Sequence, residues 1–265
     1  MWPDKALGER IAKDFVAILI DVDKDQATPK KYGVSAMPTL VIADAKEKAL
    51  ITQVGAPFST AEEALKWFDD ISTALKDVEK LEAELAKDSK NVDLSLKLAD
   101  TYAKLSRHAD AAKLLDTVLA GLAKDDKRVN DVKLKLADAL FKGELDSERG
   151  VELCKELTKV FLEAKDERAM ESVHGVMMGH WQKEEYKEAR EVLLTCVAAF
   201  PKHAKAIEYR VYAAYLLFQS GDKAGAIKET KAVIEAGPAD HDWVKQAKEL
   251  LEHLEVMKKF PDMEH

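Results

Sequence analysis

Cysteine is scarce in this chain. Only two occur in 265 residues, Cys154 and Cys196, and they lie far apart. Their spacing fits neither a metal-ligand pair nor a Cys-x-x-Cys redox pair. Two cysteines in a chain of this length do not indicate a disulfide-stabilised scaffold. We therefore expect a reduced protein of the cytoplasm, or of the periplasm if the natural N-terminus is missing, with both thiols packed in the core.

Long apolar runs and basic stripes are also missing. The segment FVAILIDVD at residues 15–23 is too short to span a bilayer and ends in acidic residues. The opening residues MWPDKALGER lack the apolar core of a signal peptide. The net charge is −8, whereas a nucleic-acid binder needs a basic surface. We expect neither a membrane nor a nucleic acid as partner.

Motifs of catalysis, metal binding and cofactor binding do not stand out. His174 and His180 are six residues apart and do not share one helix face. The acidic stretch at residues 21–25 lacks the glycine and the distal glutamate of an EF-hand loop. Neither a phosphate-binding loop nor a nucleophile elbow occurs. We expect no metal, no cofactor and no catalytic residue in this chain.

Charged residues make up 34% of the sequence, and Ala, Leu, Lys and Glu dominate, which favours helices with solvated faces. The pattern of apolar residues and turns changes along the chain. Residues 1–75 mix short apolar runs with turns, whereas residues 78–260 are helical with few glycines and prolines. We predict two domains with these boundaries.

The first part is predicted to contain three strands: Val16–Val22, apolar enough to be buried on both faces, Thr39–Ala43 and Ala49–Val54. Helices are predicted at Asp4–Asp14 and Gln26–Lys31. Ser59 and Glu62 have the spacing of a capping box at the start of a further helix.

This order of elements resembles the thioredoxin fold from its second helix onward. The resemblance rests on the strand ending in DVD at residues 21–23, KKYGV at 30–34, MPT at 37–39, the strand–turn–strand, and Gly55 before the last helix. It implies a cis Met37–Pro38 bond, since proline is the common context for cis bonds. It also implies that Met37 and Pro38 contact an extended substrate peptide.

The redox motif of that family does not occur in this chain. The resemblance places a strand, a helix, a second strand and the Cys-x-x-Cys before Met1, so a strand between Val16–Val22 and the later pair is missing and edges would be exposed. Three explanations stay open. The chain is a fragment of a longer protein, which we favour; another chain or a second copy supplies the strand; or the three strands close up in a changed order.

The second part contains an internal repeat. Small residues follow turn-like stretches at intervals of 39, 39 and 37 residues, at Ala111, Gly150, Ala189 and Ala226. Each precedes an apolar residue one or two helical turns later. This pattern resembles the tetratricopeptide repeat (TPR), most closely in YKEA at 186–189 and GDKAGA at 221–226. The resemblance implies stacked helix pairs, closed by a capping helix at Asp240–Met257.

Placed on that pattern, the first helix of each pair would turn a set of side chains to an inner face. The candidates for peptide binding are Asp100, Asp138, Phe141, Met178, Trp181, Tyr215 and Phe218. An acidic early part and an aromatic, Met-containing later part would suit a segment with apolar anchors and a basic end. The same residue types would equally suit packing between neighbouring helices.

We therefore predict an α/β plus all-α chain, in which a partial thioredoxin-like sheet of about three strands precedes a TPR-like helical solenoid. Proteins with this domain order resemble holdase-type chaperones or redox adaptors, which implies a redox-silent protein that binds protein segments. Two alternatives remain: a fragment of a thiol–disulfide oxidoreductase whose Cys-x-x-Cys lies before Met1, and a scaffold in a larger assembly completed by a partner strand or by a homo-oligomer.

Overall fold

The computed structural model describes residues 5–259, which form twelve helices and one two-stranded sheet. The chain divides into two compact units, Met1–Val132 and Lys133–His265, here called unit 1 and unit 2. In chain order the elements are α1 Lys5–Asp14, α2 Ala27–Lys31, β1 Thr39–Ala43, β2 Ala49–Val54, α3 Ala61–Lys87, α4 Val92–Lys104, α5 His108–Gly121, α6 Val129–Lys142, α7 Ser147–Glu163, α8 Ala169–Trp181, α9 Tyr186–Ala199, α10 Ala206–Gln219, α11 Lys223–Ala236 and α12 Asp242–Lys259.

The sheet of unit 1 is an antiparallel hairpin of β1 and β2, with Val41 opposite Thr52. Its turn is fixed by the Asp44 carboxylate, which accepts hydrogen bonds from the backbone N–H groups of Lys46 at 2.8 Å and Lys48 at 2.9 Å. Such short polar side chains favour turns because they replace a backbone partner. Both strands lie where the sequence predicts them.

The prediction of a strand at Val16–Val22 is wrong. Residues 15–21 form neither helix nor strand, and the sheet has two strands instead of about three. The β-branched residues supply strand propensity, but propensity alone does not make a strand. A strand requires a neighbour that satisfies its backbone N–H and C=O groups, and the described part of unit 1 provides none at this position.

Helix α1 packs on α3 through Leu7, Ile11 and Phe68, which are buried together with Phe58. Leu7 and Ile11 lie one turn apart and so share one face of α1. Arg10 reinforces the contact, because it forms an ion pair with Asp69 of α3 and donates to the Ser72 hydroxyl at 3.1 Å. The start of the predicted first helix, Asp4, lies outside the described residues.

The predicted capping box before α3 is wrong by one residue. Thr60, not Ser59, accepts from the backbone N–H of Glu63 at 3.2 Å, and the Glu63 carboxylate accepts in return from the N–H of Thr60 at 3.2 Å. Ser59 contributes its own N–H to the same carboxylate at 2.7 Å. Helix α3 then runs without a break to Lys87, through the predicted boundary between residues 75 and 78.

From α4 onward the chain consists of helix pairs, as the repeat pattern predicts. Successive helices pack on each other: α4 on α5 in unit 1, and α7 through α12 in unit 2, while α6 begins in the first unit and ends in the second. The predicted small packing residues Ala111, Ala189 and Ala226 are buried, and so is Gly150. The predicted capping helix corresponds to α12.

Five helix ends within residues 5–259 finish in the same way. One residue adopts left-handed backbone, at Ser106, Glu144, Lys165, Glu184 and Gly221. The N–H of the next residue then bonds to the carbonyl five residues earlier, as Glu185 does to His180 at 3.0 Å. This Schellman motif satisfies the last carbonyls of the helix and sets the direction in which the chain leaves.

The loops before α6, α8, α10 and α12 share a side-chain cap that the residue types do not reveal. A side chain accepts the backbone N–H two residues later, at distances of 2.9, 2.9, 3.2 and 3.2 Å, from Asp126, Asp166, His203 and His241 respectively. Aspartate and histidine make the same hydrogen bond here, so the cap recurs in geometry and not in residue identity.

The core of unit 2 is apolar with a few satisfied polar groups. Tyr209 is fully buried, and its hydroxyl donates to the carbonyl of Met170 at 2.6 Å. The hydroxyls of Thr158 and Ser172 bond to each other at 2.7 Å. Both cysteines are buried, as predicted. Within residues 5–259, no helix combines the length and apolarity needed to cross a lipid bilayer.

Candidate peptide-binding surface

The two candidate residues of unit 1 lie at the turn before β1. The Met37–Pro38 bond is cis, as the resemblance implies. Met37 is 69% exposed, and its backbone N–H and C=O make no hydrogen bond within the described residues. The Pro38 carbonyl accepts from the Gly55 N–H at 2.7 Å, which ties this turn to the end of β2. Asp100, also in unit 1, is half-buried on α4.

The first two candidates of unit 2 lie on α6. Asp138 is exposed and forms an ion pair with Lys142 one turn later at 3.0 Å. Phe141 is half-buried, and its ring faces Gly150 of α7 and Gly175 of α8. A Cβ added at Gly175 would lie 2.8 Å from that ring. Phe141 therefore fills the junction of three helices and presents little surface to a partner.

Three of the remaining candidates, Trp181, Tyr215 and Phe218, belong to a row of aromatic side chains. This row, here called the aromatic row, consists of Tyr186, Trp181, Tyr215, Phe218 and His253. Trp181 of α8 stacks on Tyr215 of α10, with ring centroids 5.4 Å apart and planes 9° apart. Tyr186 of α9 meets the Trp181 ring edge-on at 5.6 Å. Phe218 lies 6.1 Å from Tyr215 and meets His253 of α12 at 6.4 Å.

The row lies at the edge of the core. Trp181, Tyr186 and Met178 are half-buried and pack against the buried cluster that includes Leu193 and Tyr209. Tyr215 and Phe218 are also half-buried, and His253 is exposed. Each ring thus keeps part of its surface open to solvent. Helix ends position them: Trp181 is the last residue of α8, and Phe218 is the next to last of α10.

Next to the aromatic row, α12 presents an apolar and an acidic side chain to solvent. Glu249, His253 and Val256 lie one turn apart on the same helix face. Glu249 is exposed, and Val256 is 45% exposed, although valine is normally buried. The α8 end carries another carboxylate. His180 Nδ1 lies 2.6 Å from Glu185, and this hydrogen bond holds the pKa of the Glu185 carboxyl below its usual value.

A second aromatic group lies beside the row and belongs more to the core. Tyr212 contacts Tyr209 at 6.2 Å, Trp243 edge-on at 5.2 Å and His174 at 6.3 Å. Burial raises the pKa of the Tyr212 hydroxyl, and the neighbouring Glu208 raises that pKa further. Tyr212 and Trp243 join α10 to α12 by packing.

Sequence reasoning found three members of the aromatic row and missed two. Tyr186 lies in YKEA at residues 186–189, where the repeat pattern marks only the small residue Ala189. His253 lies in the capping helix, to which the repeat pattern assigns no inner face. Tyr186 is the first residue of α9, five residues after Trp181, and that spacing could have found it, whereas no local pattern marks His253 inside α12. Asp100, Asp138, Phe141 and Met178 do not belong to the row.

The described residues show no site for a metal. Among residues 5–259, no three His, Cys, Asp or Glu side chains come together as ligands. A groove of about 330 Å³ lies on α7, α8 and α9, with Thr158, His180 and Glu191 in its lining. Its side chains form no arrangement of nucleophile, base and oxyanion donor.

No family model and no curated protein sequence matches this chain. Solved structures do match. YrrB, described as a TPR protein with an unusual peptide-binding site, is 15% identical over 69% of this chain and 89% of its own, with a TM-score of 0.51. BtubC from P. vanneervenii is 15% identical over 78% and 94%, with a TM-score of 0.50.

A variant of a putative kinesin light chain from Podosopora anserina, with nearly identical TPR-like repeats, is 17% identical over 64% of this chain and 95% of its own, with a TM-score of 0.50. At such identities the likeness concerns the fold alone. The helix pairs, their Schellman ends and these neighbours agree, and the chain has a TPR-like repeat fold.

Proposed function

We propose that this chain is a protein-interaction adaptor that binds a segment of a partner protein across the aromatic row. The observation that carries the proposal is the row itself, in which aromatic side chains on four helices meet stacked, tilted or edge to face and keep open surface. Half-buried aromatic residues are enriched at interfaces, because they offer a large contact area for little lost conformational entropy.

The geometry favours a segment with apolar anchors and a basic residue. The stacked rings of Trp181 and Tyr215 keep part of their aromatic surface open, against which an apolar side chain or a guanidinium group can pack. Val256 extends the apolar surface, and the carboxylate of Glu249 lies on the same face of α12. A cation of the partner would be attracted there.

The test uses the full chain and an array of short peptides of random sequence. Binding peptides are then measured in solution by calorimetry. Trp181→Ala and Tyr215→Ala should each lose about 2 kcal/mol, or about 30-fold in Kd, as expected of a hot spot. Tyr32→Ala is the matched control, because Tyr32 is a half-buried aromatic residue of unit 1. Peptides that bind all three variants equally well would reject the proposal.

We also propose a finer role, that of a holdase-type chaperone whose residues 1–75 are thioredoxin-like. Two observations support it: the hairpin and α3 follow in the order that the resemblance implies, and Met37 is exposed with its backbone groups available to an extended chain. The probe is reduced insulin, whose B chain aggregates visibly. The full chain should delay its light scattering, and Met37→Asp should shorten that delay; no delay would reject the chaperone role.

The oxidoreductase alternative has a separate test. The intact mass and the N-terminal sequence of the protein from its native cell show whether a Cys-x-x-Cys precedes Trp2. If it does, Met37 and Pro38 would line the substrate groove of a redox enzyme. If it does not, the thiol chemistry of that family is excluded and binding remains the function of unit 1.

A further inference from the structure

The four caps before α6, α8, α10 and α12 share a geometry but differ in their response to acid. In each, a side chain accepts the backbone N–H two residues later, and the carbonyl of the same residue accepts the N–H three residues later. The accepting side chain is a carboxylate at Asp126 and Asp166 but an imidazole at His203 and His241. Histidine takes up a proton in mild acid, whereas aspartate does so only below about pH 4.

The geometry fixes the protonation state of both histidines. Nδ1 of His203 lies 3.2 Å from the backbone nitrogen of Lys205, and Nδ1 of His241 lies 3.2 Å from that of Trp243. A backbone N–H only donates, so each Nδ1 must carry a lone pair and each ring must be neutral. A proton on Nδ1 would set two N–H groups against each other. The charged ring would also face the positive end of the helix dipole.

We propose that His203 and His241 form a pH-sensitive switch, which releases the starts of α10 and α12 in mild acid while α6 and α8 stay capped. The two released helices carry three of the five rings of the aromatic row, Tyr215, Phe218 and His253. Acid should therefore loosen the part of unit 2 that presents most of the row. The switch concerns helix order and does not depend on whether a protein segment binds there.

The aspartate caps resist acid because arginines hold them. Arg128 donates to the Asp126 carboxylate through its guanidinium group and through its backbone N–H, and these bonds lower the pKa of Asp126 to about 2. Arg168 donates to Asp166 in the same two ways and lowers its pKa. Both carboxylates therefore stay charged, and keep accepting, at about pH 5.

The groups around His203 offer no replacement for its ring. The charged side chains nearest in sequence are Lys202 and Lys205 of the same loop, and an ammonium group cannot accept the N–H that the ring would release. Glu208 lies in the first turn of α10, but its carboxylate interacts with the Tyr212 hydroxyl. Loss of the imidazole acceptor therefore leaves the Lys205 N–H without a protein partner.

The groups around His241 are acidic but engaged. His241 lies between Asp240 and Asp242, and the Asp242 carboxylate accepts from the Lys245 ammonium group at 2.8 Å. A carboxylate next to an imidazole favours its charged form, which suits a ring that takes up a proton in mild acid. Within residues 5–259, no charged side chain of α8, α9 or α11 bonds to either capping ring.

Hydrogen exchange of the full chain tests the switch, once corrected for the effect of pH on the chemical exchange rate. From about pH 8 to about pH 5, amides in the first two turns of α10 and α12 should lose about fivefold in protection, as expected for the loss of one cap. The same turns of α6 and α8 should keep their protection. Equal behaviour of all four helix starts would overturn the proposal.

A double variant separates the two caps from other titrating groups. His203→Asp combined with His241→Asp places the cap of α6 and α8 at the two later positions and should keep protection at both pH values. His180→Gln is the control, because its ring bonds to the Glu185 carboxylate and not to a backbone N–H. It should lose protection in acid as the wild type does. A double variant that loses as much as the wild type would contradict the switch.

A second measurement needs no substitution. In amide NMR spectra of the wild type, the signals of Lys205 and Trp243 should shift along the titration curves of the two capping rings, because their N–H groups lose an acceptor. The corresponding amides at the aspartate caps, Arg128 and Arg168, should not shift over the same range. Signals of Lys205 and Trp243 that ignore the ring titration would show that the caps persist in acid, and the proposal would fail.

Discussion

Trp181 and Tyr215 are 34 residues apart in sequence, yet their rings lie 5.4 Å apart and within 9° of parallel. Each stands near the end of the first helix of its pair, α8 or α10. The contact therefore links two successive repeats at the same level. One side of the pair rests on the buried cluster of unit 2, and the other side faces solvent. A packing contact between repeats thus also leaves aromatic surface open to solvent.

Replacement of Trp181 measures what this ring contact contributes to stability. Trp181→Ala should lower the free energy of unfolding by about 1–3 kcal/mol, because it removes a ring pair worth about 0.5–1.5 kcal/mol beyond the apolar area that is lost. Trp181→Phe keeps an aromatic ring against Tyr215 and should recover most of that loss. Urea unfolding of the full chain measures both. A phenylalanine variant as unstable as the alanine variant would show that ring stacking contributes nothing.

Gly175 should tolerate no side chain. An added Cβ would lie 2.5 Å from the Cys154 sulfur and 2.8 Å from the Phe141 ring, so Gly175→Ala should cost about 1–3 kcal/mol of stability through overpacking. Gly8→Ala is the control. Gly8 is also helical but has no atom within 4 Å of an added Cβ, so alanine should stabilise α1 by about 0.5–1 kcal/mol.

A double variant identifies the cause of that loss. Cys154→Ala removes the sulfur that an added methyl group would meet, so stability should recover partly when it is combined with Gly175→Ala. Thermal unfolding of the two single variants and the double variant gives the coupling between the sites. Additive losses would mean that the sulfur is not the obstacle, which leaves the Phe141 ring, 2.8 Å from the added Cβ.

Short-range patterns predicted the features that are themselves local. The hairpin of β1 and β2 and the buried Ala189 follow from alternation and from one small residue after a turn. The segment at residues 16–22 shows the limit. Its β-branched residues predict a strand, but strand formation depends on a neighbour that no single stretch of sequence specifies.

The features that sequence reasoning missed depend on contacts between distant residues. His253 joins the aromatic row by contacting Phe218, 35 residues earlier and two helices away. Asp166 and His203 each accept the backbone N–H two residues later. Because the two side chains differ, a sequence alignment of the repeats does not reveal that these caps correspond. Phe141 matches the repeat pattern, but its ring packs in the junction between helices, because the glycines of α7 and α8 leave space for it there.

The thiols should be inert in the folded protein. Burial raises the pKa of Cys154 to about 12 and of Cys196 to about 11, from an ordinary value near 9. At pH 8 a disulfide reagent should therefore label neither thiol until urea is added, because the thiolate is the reactive form. Rapid labelling of the native chain would show that at least one sulfur is exposed by local opening.

The same burial sets the direction of a pH dependence. Above about pH 9 the unfolded chain loses thiol protons that the folded chain keeps, so the unfolded state binds fewer protons and stability falls as pH rises. The fall should continue up to the folded pKa values, about 11 and 12. Replacement of both cysteines by alanine should flatten unfolding free energy over this range, relative to wild type.

The left-handed residues at the helix ends should be the simplest positions at which to stabilise the repeats. Glu144 and Glu184 have φ values of 51° and 59°, a conformation that costs about 1–2 kcal/mol for a residue with a side chain. Glycine avoids that cost but gains freedom in the unfolded chain, so Glu144→Gly and Glu184→Gly should each stabilise by about 0.5–1 kcal/mol.

Gly221, at φ 88° with open space around it, provides the reverse experiment. Gly221→Glu should destabilise by about 1 kcal/mol through backbone conformation alone, since no neighbour obstructs the new side chain. Urea midpoints of the three variants decide the matter, and a neutral Gly221→Glu would show that these ends adjust their backbone instead of holding it.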